Sequence, residues 1–283
     1  MRIVSLLPAA TDIVVALGLG DSLVGYSHLC EAPDRATVVT ASQMPVAPEH
    51  SSWRVDWDAV AALRPDMILT RALPGYARIA GALVGLESPL PTPLLALEAS
   101  SLDGVLESIQ AIAAECGAGE TGLRVAGELR GRMDVLAERS ARTRHRPVVI
   151  ALEDLVTPVA AGLWVPEQIR IAGGTSTLVE AGEPAAAVAW EDVASVQPEL
   201  FLAMAREGDV LSSLQALVAL GARDDLRWMW RDIPAAYLSQ IYALDARLFS
   251  GPGPRLVDGI AVLAGLLHPD AFPAPLAAHA LRP

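Results

Sequence analysis

A twelve-residue pattern occurs twice in this chain. Asp58-Ala-Val-Ala-Ala-Leu-Arg-Pro-Asp-Met-Ile-Leu69 is matched by Glu191-Asp-Val-Ala-Ser-Val-Gln-Pro-Glu-Leu-Phe-Leu202, 133 residues further on and without a gap. Acid, valine, alanine, aliphatic residue, proline, acid and a closing apolar run coincide. Each copy reads as a short helix, a proline turn and a strand apolar enough to be buried on both faces, as parallel strands are. A looser pair supports it. Arg2-Ile-Val-Ser-Leu-Leu-Pro8 and Pro147-Val-Val-Ile-Ala-Leu152 are both strands leading into a loop and a helix, and those helices end at Gly18-Leu-Gly20 and Gly173-Gly174, as helix C-termini tend to. A chance likeness between short βα units remains open at this point. The repeat otherwise predicts two similar α/β lobes.

Between the copies, residues 100–146 read as a helix, a break and a longer helix of about Glu120 to Thr143. Leu123, Ala126, Leu129, Met133, Leu136 and Ala137 predict its apolar face at the 3.6-residue period. Arg124 with Glu128, Glu128 with Arg132, and Glu138 with Arg142 are spaced to pair on the remaining surface. A basic tail, Arg142 to Arg146, and Pro147 close it. Glycines 122, 127 and 131 count against it, at about 1 kcal/mol each relative to alanine. They imply either close packing or a later start. The expected fold is α/β, with two Rossmann-like lobes bridged by one long α-helix. The expected division is an N-terminal lobe over 1–100, a helical linker over 101–146 and a C-terminal lobe over 147–283.

With 283 residues, 52% of them hydrophobic, the chain has core material for two lobes. A net charge of −12 with 33 acids argues against nucleic acid, whose backbone requires a basic surface. The uncharged run Val210–Ala222 is shorter than the roughly 20 residues of a membrane helix, so no membrane insertion is expected. Cys30 and Cys116 are far apart and predict no disulfide framework. Pro8 and Asp12 interrupt the first apolar run, which therefore reads as a strand and not as an export signal. That places the protein in the cytoplasm, or in the periplasm or extracellular space if a leader was removed.

In order, Ile3–Leu7 is a strand, Pro8-Ala9-Ala10 a loop, and Thr11 or Asp12 the expected cap of a helix to Leu17. Leu23–Ser27 is the next strand, residues 40–53 are loop, and Met67–Thr70 and Leu94–Leu97 are strands. The second lobe begins with Val148–Leu152, continues with a loop over 153–166 and a helix Glu167–Ala172, and ends with a strand Ile241–Leu244 and an amphipathic helix Leu256–Leu267.

No catalytic motif and no histidine pair at metal-ligand spacing is present, so no metal site is expected. His145 and His268 fall at helix ends and read as caps. His28, Cys30 and Glu31 cluster after a strand, as a thiol–imidazole pair, a soft metal site or simply pocket lining. Trp164 fits either a packing or a ligand-stacking ring. In Gly251-Pro-Gly-Pro-Arg255 two Gly-Pro units impose a fixed path on the loop.

These stretches together resemble a family. Arg2 to Asp12, Leu17-Gly-Leu-Gly-Asp-Ser-Leu-Val-Gly-Tyr-Ser-His28, Leu63-Arg-Pro-Asp-Met-Ile-Leu69, Trp164-Val-Pro-Glu167 and Gly251-Pro-Gly-Pro-Arg-Leu-Val-Asp-Gly259 are similar to the cobalamin-binding proteins, and in the same order. These belong to the helical-backbone, or class III, substrate-binding proteins of ABC importers. The resemblance implies a small-molecule ligand, a corrinoid such as cobalamin or a related tetrapyrrole or metal chelate, held between two lobes that one stiff helix bridges. It implies no required cofactor, bound cobalamin being the cargo. Its ligand walls map to Pro8, Ala9, His28, Ser42, Gln43, Arg71 and Leu73 in the first lobe. In the second they map to Glu153, Leu155, Trp164, Arg247 and Phe249. Docking to an ABC permease would use one acid per lobe: Glu191 fits, and the first-lobe position reads Ala77. The chain also lacks the Cys-x-x-Cys and Pro-Cys-Gly segments common in relatives, and no export signal or lipid-anchor cysteine precedes its first strand. These departures keep a rival reading open, a cytoplasmic enzyme on the same scaffold acting on a bound metabolite. His28, Glu31, Arg71 and Glu153 would then be its acid–base groups.

Overall fold

The computed structural model describes residues 1–31, 36–43, 52–71, 90–206, 208–277 and 279–282, in two compact units. The first comprises Met1–Ala99, Asp103–Glu128 and Pro252–Pro254; the second comprises Ser100–Leu102, Leu129–Gly251 and Arg255–Pro283.

In the first unit, β1 (Ile3–Ser5) leads into α1 (Pro8–Ala16), followed by β2 (Leu23–Tyr26), β3 (Thr37–Val38), β4 (Thr40–Gln43), β5 (Ser52–Val55), α2 (Trp57–Leu63), β6 (Met67–Arg71) and β7 (Leu94–Leu97). Five strands form a parallel sheet in the order β3-β2-β1-β6-β7. The order reverses beside β1, the kind of switch point whose strand ends receive ligands in open α/β sheets. Two expectations are corrected here. Residues 40–53 include an antiparallel ladder, β4 with β5, from Thr40↔Val55 to Gln43↔Ser52. Helix α1 starts at Pro8, not after Thr11 or Asp12, with Leu7 extended before it. Proline needs no amide partner at a first helical position and brings its φ ready-set, so it opens the helix.

Helices α3 (Leu102–Glu115) and α4 (Gly119–Ala141) follow, with Gly117 at φ +69 in the break between them. The 23 residues of α4 make it about 35 Å long. The division between units falls within it, after Glu128. Its buried stripe runs through Val125, Ala126, Leu129 and Met133. Leu123 is 63% exposed, so the expected face was one residue out of phase at its start. Gly122 explains itself: an added Cβ would lie 2.3 Å from Ala113 Cβ of α3, whereas Gly127 and Gly131 face open space. Arg124 pairs with Glu128 as expected, but Arg132 turns away from Glu128 to Asp258.

The second unit contains β8 (Val148–Asp154), β9 (Val159–Ala160), α5 (Val165–Ile171), β10 (Thr175–Ser176), β11 (Ala186–Ala187), α6 (Trp190–Ser195), β12 (Leu200–Ala203), α7 (Val210–Gly221), α8 (Arg227–Asp232), α9 (Pro234–Tyr237), β13 (Ile241–Leu244), α10 (Leu256–Leu267) and β14 (Ala280–Leu281). The sheet order is β11-β9-β8-β12-β13-β14, with β10 also on β8. Strands β8, β10, β12 and β13 run parallel; β9, β11 and β14 are antiparallel additions. Thus β13 is not the last strand. Nor is α10 one-sided: apart from Asp258 and Ala261 its residues are buried, as befits a core helix.

The sequence repeat is a structural repeat. Helix α2 ends at Arg64 in the left-handed region (φ 45) and α6 is followed by Gln197 in the same region (φ 49), each just before the shared proline. The acid after the proline then fastens the start of its unit's first strand. Asp66 Oδ2 accepts the Arg2 N–H at 2.7 Å, and Glu199 Oε1 accepts the Val148 N–H at 3.1 Å. The Asp66 and Glu199 amides return bonds to the Arg2 and Val148 carbonyls, both at 2.8 Å. Val60 and Val193, Ile68 and Phe201, and Leu69 and Leu202 are all fully buried. The architecture is therefore two Rossmann-like α/β units sharing one long helix. No helix among the described residues is long and apolar enough to cross a membrane.

Candidate functional site

The carboxyl ends of β1 and β2 carry a set of small hydroxyl side chains where the surrounding core is aliphatic. Ser5, Thr11, Ser27 and Thr40 are each at most 5% exposed. Because Pro8 opens α1, the Thr11 hydroxyl is not needed as a cap. It lies 2.8 Å from Ser5 Oγ, 3.3 Å from the Leu7 carbonyl and 3.1 Å from Cys30 Sγ. Ser5 Oγ in turn donates to the Leu7 carbonyl at 3.0 Å. This network holds the β1–α1 turn, on which Pro8 is half-buried and Ala9 buried. Gly253 packs on Ala9: an added Cβ there would sit 3.2 Å from the Ala9 Cα, a tight approach.

A second network holds His28. Its backbone N–H donates to Thr40 Oγ1 at 2.9 Å, and its Nδ1 lies 2.6 Å from the same oxygen. Thr40 Oγ1 is also 3.1 Å from Ser27 Oγ. A hydroxyl has one proton, so two arrangements exist. Thr40 donates to Nδ1 and the imidazole proton sits on Nε2, or Nδ1–H donates to Thr40 and Nε2 keeps its lone pair. In both, Nδ1 is used internally. His28 is half-buried and Glu31 exposed. At the end of β6, Thr70 is 3% exposed and its hydroxyl has no partner among the described residues. The backbones of Ser42 and Gln43 lie in β4, and Arg71 closes β6 opposite Leu97. Leu73 and Ala77 lie outside the described residues.

The strand ends of the second unit are built differently, from paired charges. Glu153, at the end of β8, lies 3.7 Å from Arg206 in an ion pair, and its carbonyl accepts the Arg206 N–H. Asp245, 3% exposed, takes Arg247 side-on: Nε reaches Oδ1 at 2.9 Å and Nη2 reaches Oδ2 at 2.8 Å. Asp209 caps α7 by accepting the Ser212 N–H and hydroxyl, and these bonds, with Arg247 nearby, hold its carboxyl below the usual carboxylate range. Trp164 is 1% exposed, and its Nε1 donates to the Phe249 carbonyl at 2.6 Å. Gln168 Nε2 donates to the carbonyls of Leu248 and Leu256. Leu155 and Phe249 are buried as well. Of the five wall residues expected here, three thus show almost no surface, and the loop after β13 is tied down by Asp245, Trp164 and Gln168. Glu191 is exposed on the first turn of α6.

The sequence reading passed over Ser5, Ser27 and Thr40 as chemistry. A signal for Thr40 existed, because Thr37-Val-Val-Thr40 is a β-branched run of the kind strands favour. Among the expected acid–base groups, His28 and Glu31 belong to the first unit and Glu153 to the second. Among the described residues no group of three or more His, Cys, Asp or Glu is placed to hold a metal ion.

Comparison with known proteins decides the family. The sequence pattern described as periplasmic binding protein matches residues 3–248. The chain belongs to the periplasmic binding protein family. The match takes in every described candidate residue except Phe249, which lies one position beyond it. Among relatives of this periplasmic binding protein, the vitamin B12-binding protein of Vibrio cholerae is 25% identical over 264 residues, covering 92% of this chain and 86% of that protein. The ABC transporter substrate-binding lipoprotein YvrC of Bacillus subtilis is 24% identical, covering 96% and 81%. A periplasmic heme binding protein from Pseudomonas aeruginosa has a similar solved structure, with a TM-score of 0.72 at 22% identity over 98% of this chain and 96% of that one. The resemblance implied by the sequence and the class III fold are thereby confirmed, and the enzyme reading gains no support from these relatives.

Proposed function

We propose that this protein captures a bulky, metal-centred tetrapyrrole for import, a corrinoid in first place and haem in second. The observation that carries the reading is the likeness to the vitamin B12-binding protein of Vibrio cholerae along 92% of this chain. The haem reading is supported by the heme binding protein of Pseudomonas aeruginosa, whose structure is similar over nearly the whole chain. The first unit carries half-buried Pro8 and His28 at its strand ends. A few fixed polar groups among apolar ones suit a macrocycle with polar side chains. The corrinoid is cargo; the fold itself needs no cofactor.

An ABC permease is the proposed receiving partner, with the exposed Glu191 on α6 as the second unit's docking acid. Relatives named by location are periplasmic or lipoproteins. They favour the extracytoplasmic one of the two locations left open by the sequence.

A visible-light titration with aquocobalamin and with haemin, followed by gel filtration, tests the proposal. Co-elution of one tetrapyrrole per chain is expected. Failure of both to bind at tens of micromolar, an affinity of roughly 6–7 kcal/mol, would reject it.

A further inference from the structure

Building on that tetrapyrrole reading, we propose that His28 Nε2 is an axial ligand to the metal of the bound macrocycle. The geometry is that of a prepared ligand. Nδ1 is held 2.6 Å from Thr40 Oγ1, the backbone N–H of the same histidine donates to that oxygen at 2.9 Å, and the oxygen is braced by Ser27 Oγ at 3.1 Å. Ring and chain are therefore clamped on one atom. Thr40 and Ser27 are 5% and 0% exposed, so the clamp is itself fixed, while His28 is only half-buried. Among the described residues Nε2 has no hydrogen-bond partner. A hydrogen bond to one ring nitrogen that sets tautomer and orientation for the other is how proteins prepare metal-binding histidines. Tetrapyrrole metals accept axial nitrogen ligands of this kind. The step is a ligand exchange. The Nε2 lone pair forms the bond to the metal, the bond from the metal to its axial water breaks, and the water leaves intact.

The test compares the full chain's binding of aquocobalamin, whose axial water exchanges, with that of cyanocobalamin, whose cyanide an imidazole does not displace. The expected result is a changed visible spectrum for aquocobalamin and an affinity at least about tenfold above that for cyanocobalamin. His28→Ala should bind both alike with no spectral change. Thr40→Val, which leaves the imidazole in place, should keep the spectral change and lose about tenfold in aquocobalamin affinity. If haemin is the ligand that binds, a Soret and visible spectrum that changes in His28→Ala supports the assignment, and a spectrum unchanged by that substitution overturns it. Equal binding of the two cobalamins without spectral change overturns axial ligation and leaves the tetrapyrrole reading standing. Absence of all binding overturns both.

Discussion

The two units share a scaffold and differ in what they mount on it. In each, a short helix ends in a left-handed residue, Arg64 or Gln197, a proline follows, and the next acid fastens the first strand of the sheet. Past the strand ends the likeness stops. The first unit carries hydroxyls that brace a half-buried histidine; the second carries carboxylates locked onto arginines and a tryptophan locked onto a carbonyl. The repeated text thus encodes the frame, and the unrepeated loops encode the chemistry. The strand ends of the first unit keep bonding capacity in hand at Thr70, and those of the second are braced from within.

This comparison can be broken at several points. The largest effect is expected in the repeated cores. Phe201→Ala removes a fully buried ring packed 5.3 Å from Trp230, and its counterpart Ile68→Ala removes a fully buried aliphatic chain. Losses of about 4 and 3 kcal/mol in denaturant unfolding are expected; a near-neutral result at either would mean that the repeat positions are not equivalent. Next comes the shared helix. Gly122→Leu drives a side chain into Ala113 and should destabilise by about 2 kcal/mol. Gly127→Ala and Gly131→Ala, facing open space, should each stabilise by up to about 1 kcal/mol. A common sign at all three positions would contradict the packing described for α3 and α4. Removing the fastening acids, Asp66→Ala or Glu199→Ala, should cost about 1 kcal/mol apiece, and a much larger cost on one side would show that one unit depends on its clamp more.

The last effect involves one proton and belongs to the second unit alone. His268 is 8% exposed, and its Nε2 lies 3.2 Å from the Gly173 carbonyl. Burial pushes its pKa below the ordinary 6.5, with Arg146 and His145 adding to the shift. The unfolded chain therefore binds the proton more readily, and stability should decline as pH falls below 6.5. Melting curves between pH 7 and pH 5 should show the decline in the native chain and less of it in His268→Gln.

Much of this frame was readable before the fold was known, and the reasons are local. Proline, acid and an apolar run mark α2–β6 and α6–β12 because turn chemistry and strand burial depend on neighbours in the chain. The same holds for β13, found at Ile241–Leu244, and for α4, whose period survives three glycines. What escaped depends on distant residues. The antiparallel pairing of β4 with β5 is hidden in a proline-rich stretch of sequence, and β14 owes its existence to the open edge of β13. Arg132 prefers Asp258, 126 positions away, to Glu128 one turn back. Trp164 could be read as a stacking ring until its indole N–H was found on Phe249. The site was only half legible for the same reason. His28 stood out by type, but its brace, Thr40, lay in a stretch read as loop.

The central claim is that this chain is a tetrapyrrole-binding protein, and native mass spectrometry tests it most directly. The full chain, mixed with equimolar aquocobalamin and haemin at about 10 µM, corresponding to roughly 7 kcal/mol of binding free energy, should retain one tetrapyrrole per chain. A spectrum containing only the mass of the bare protein would contradict it.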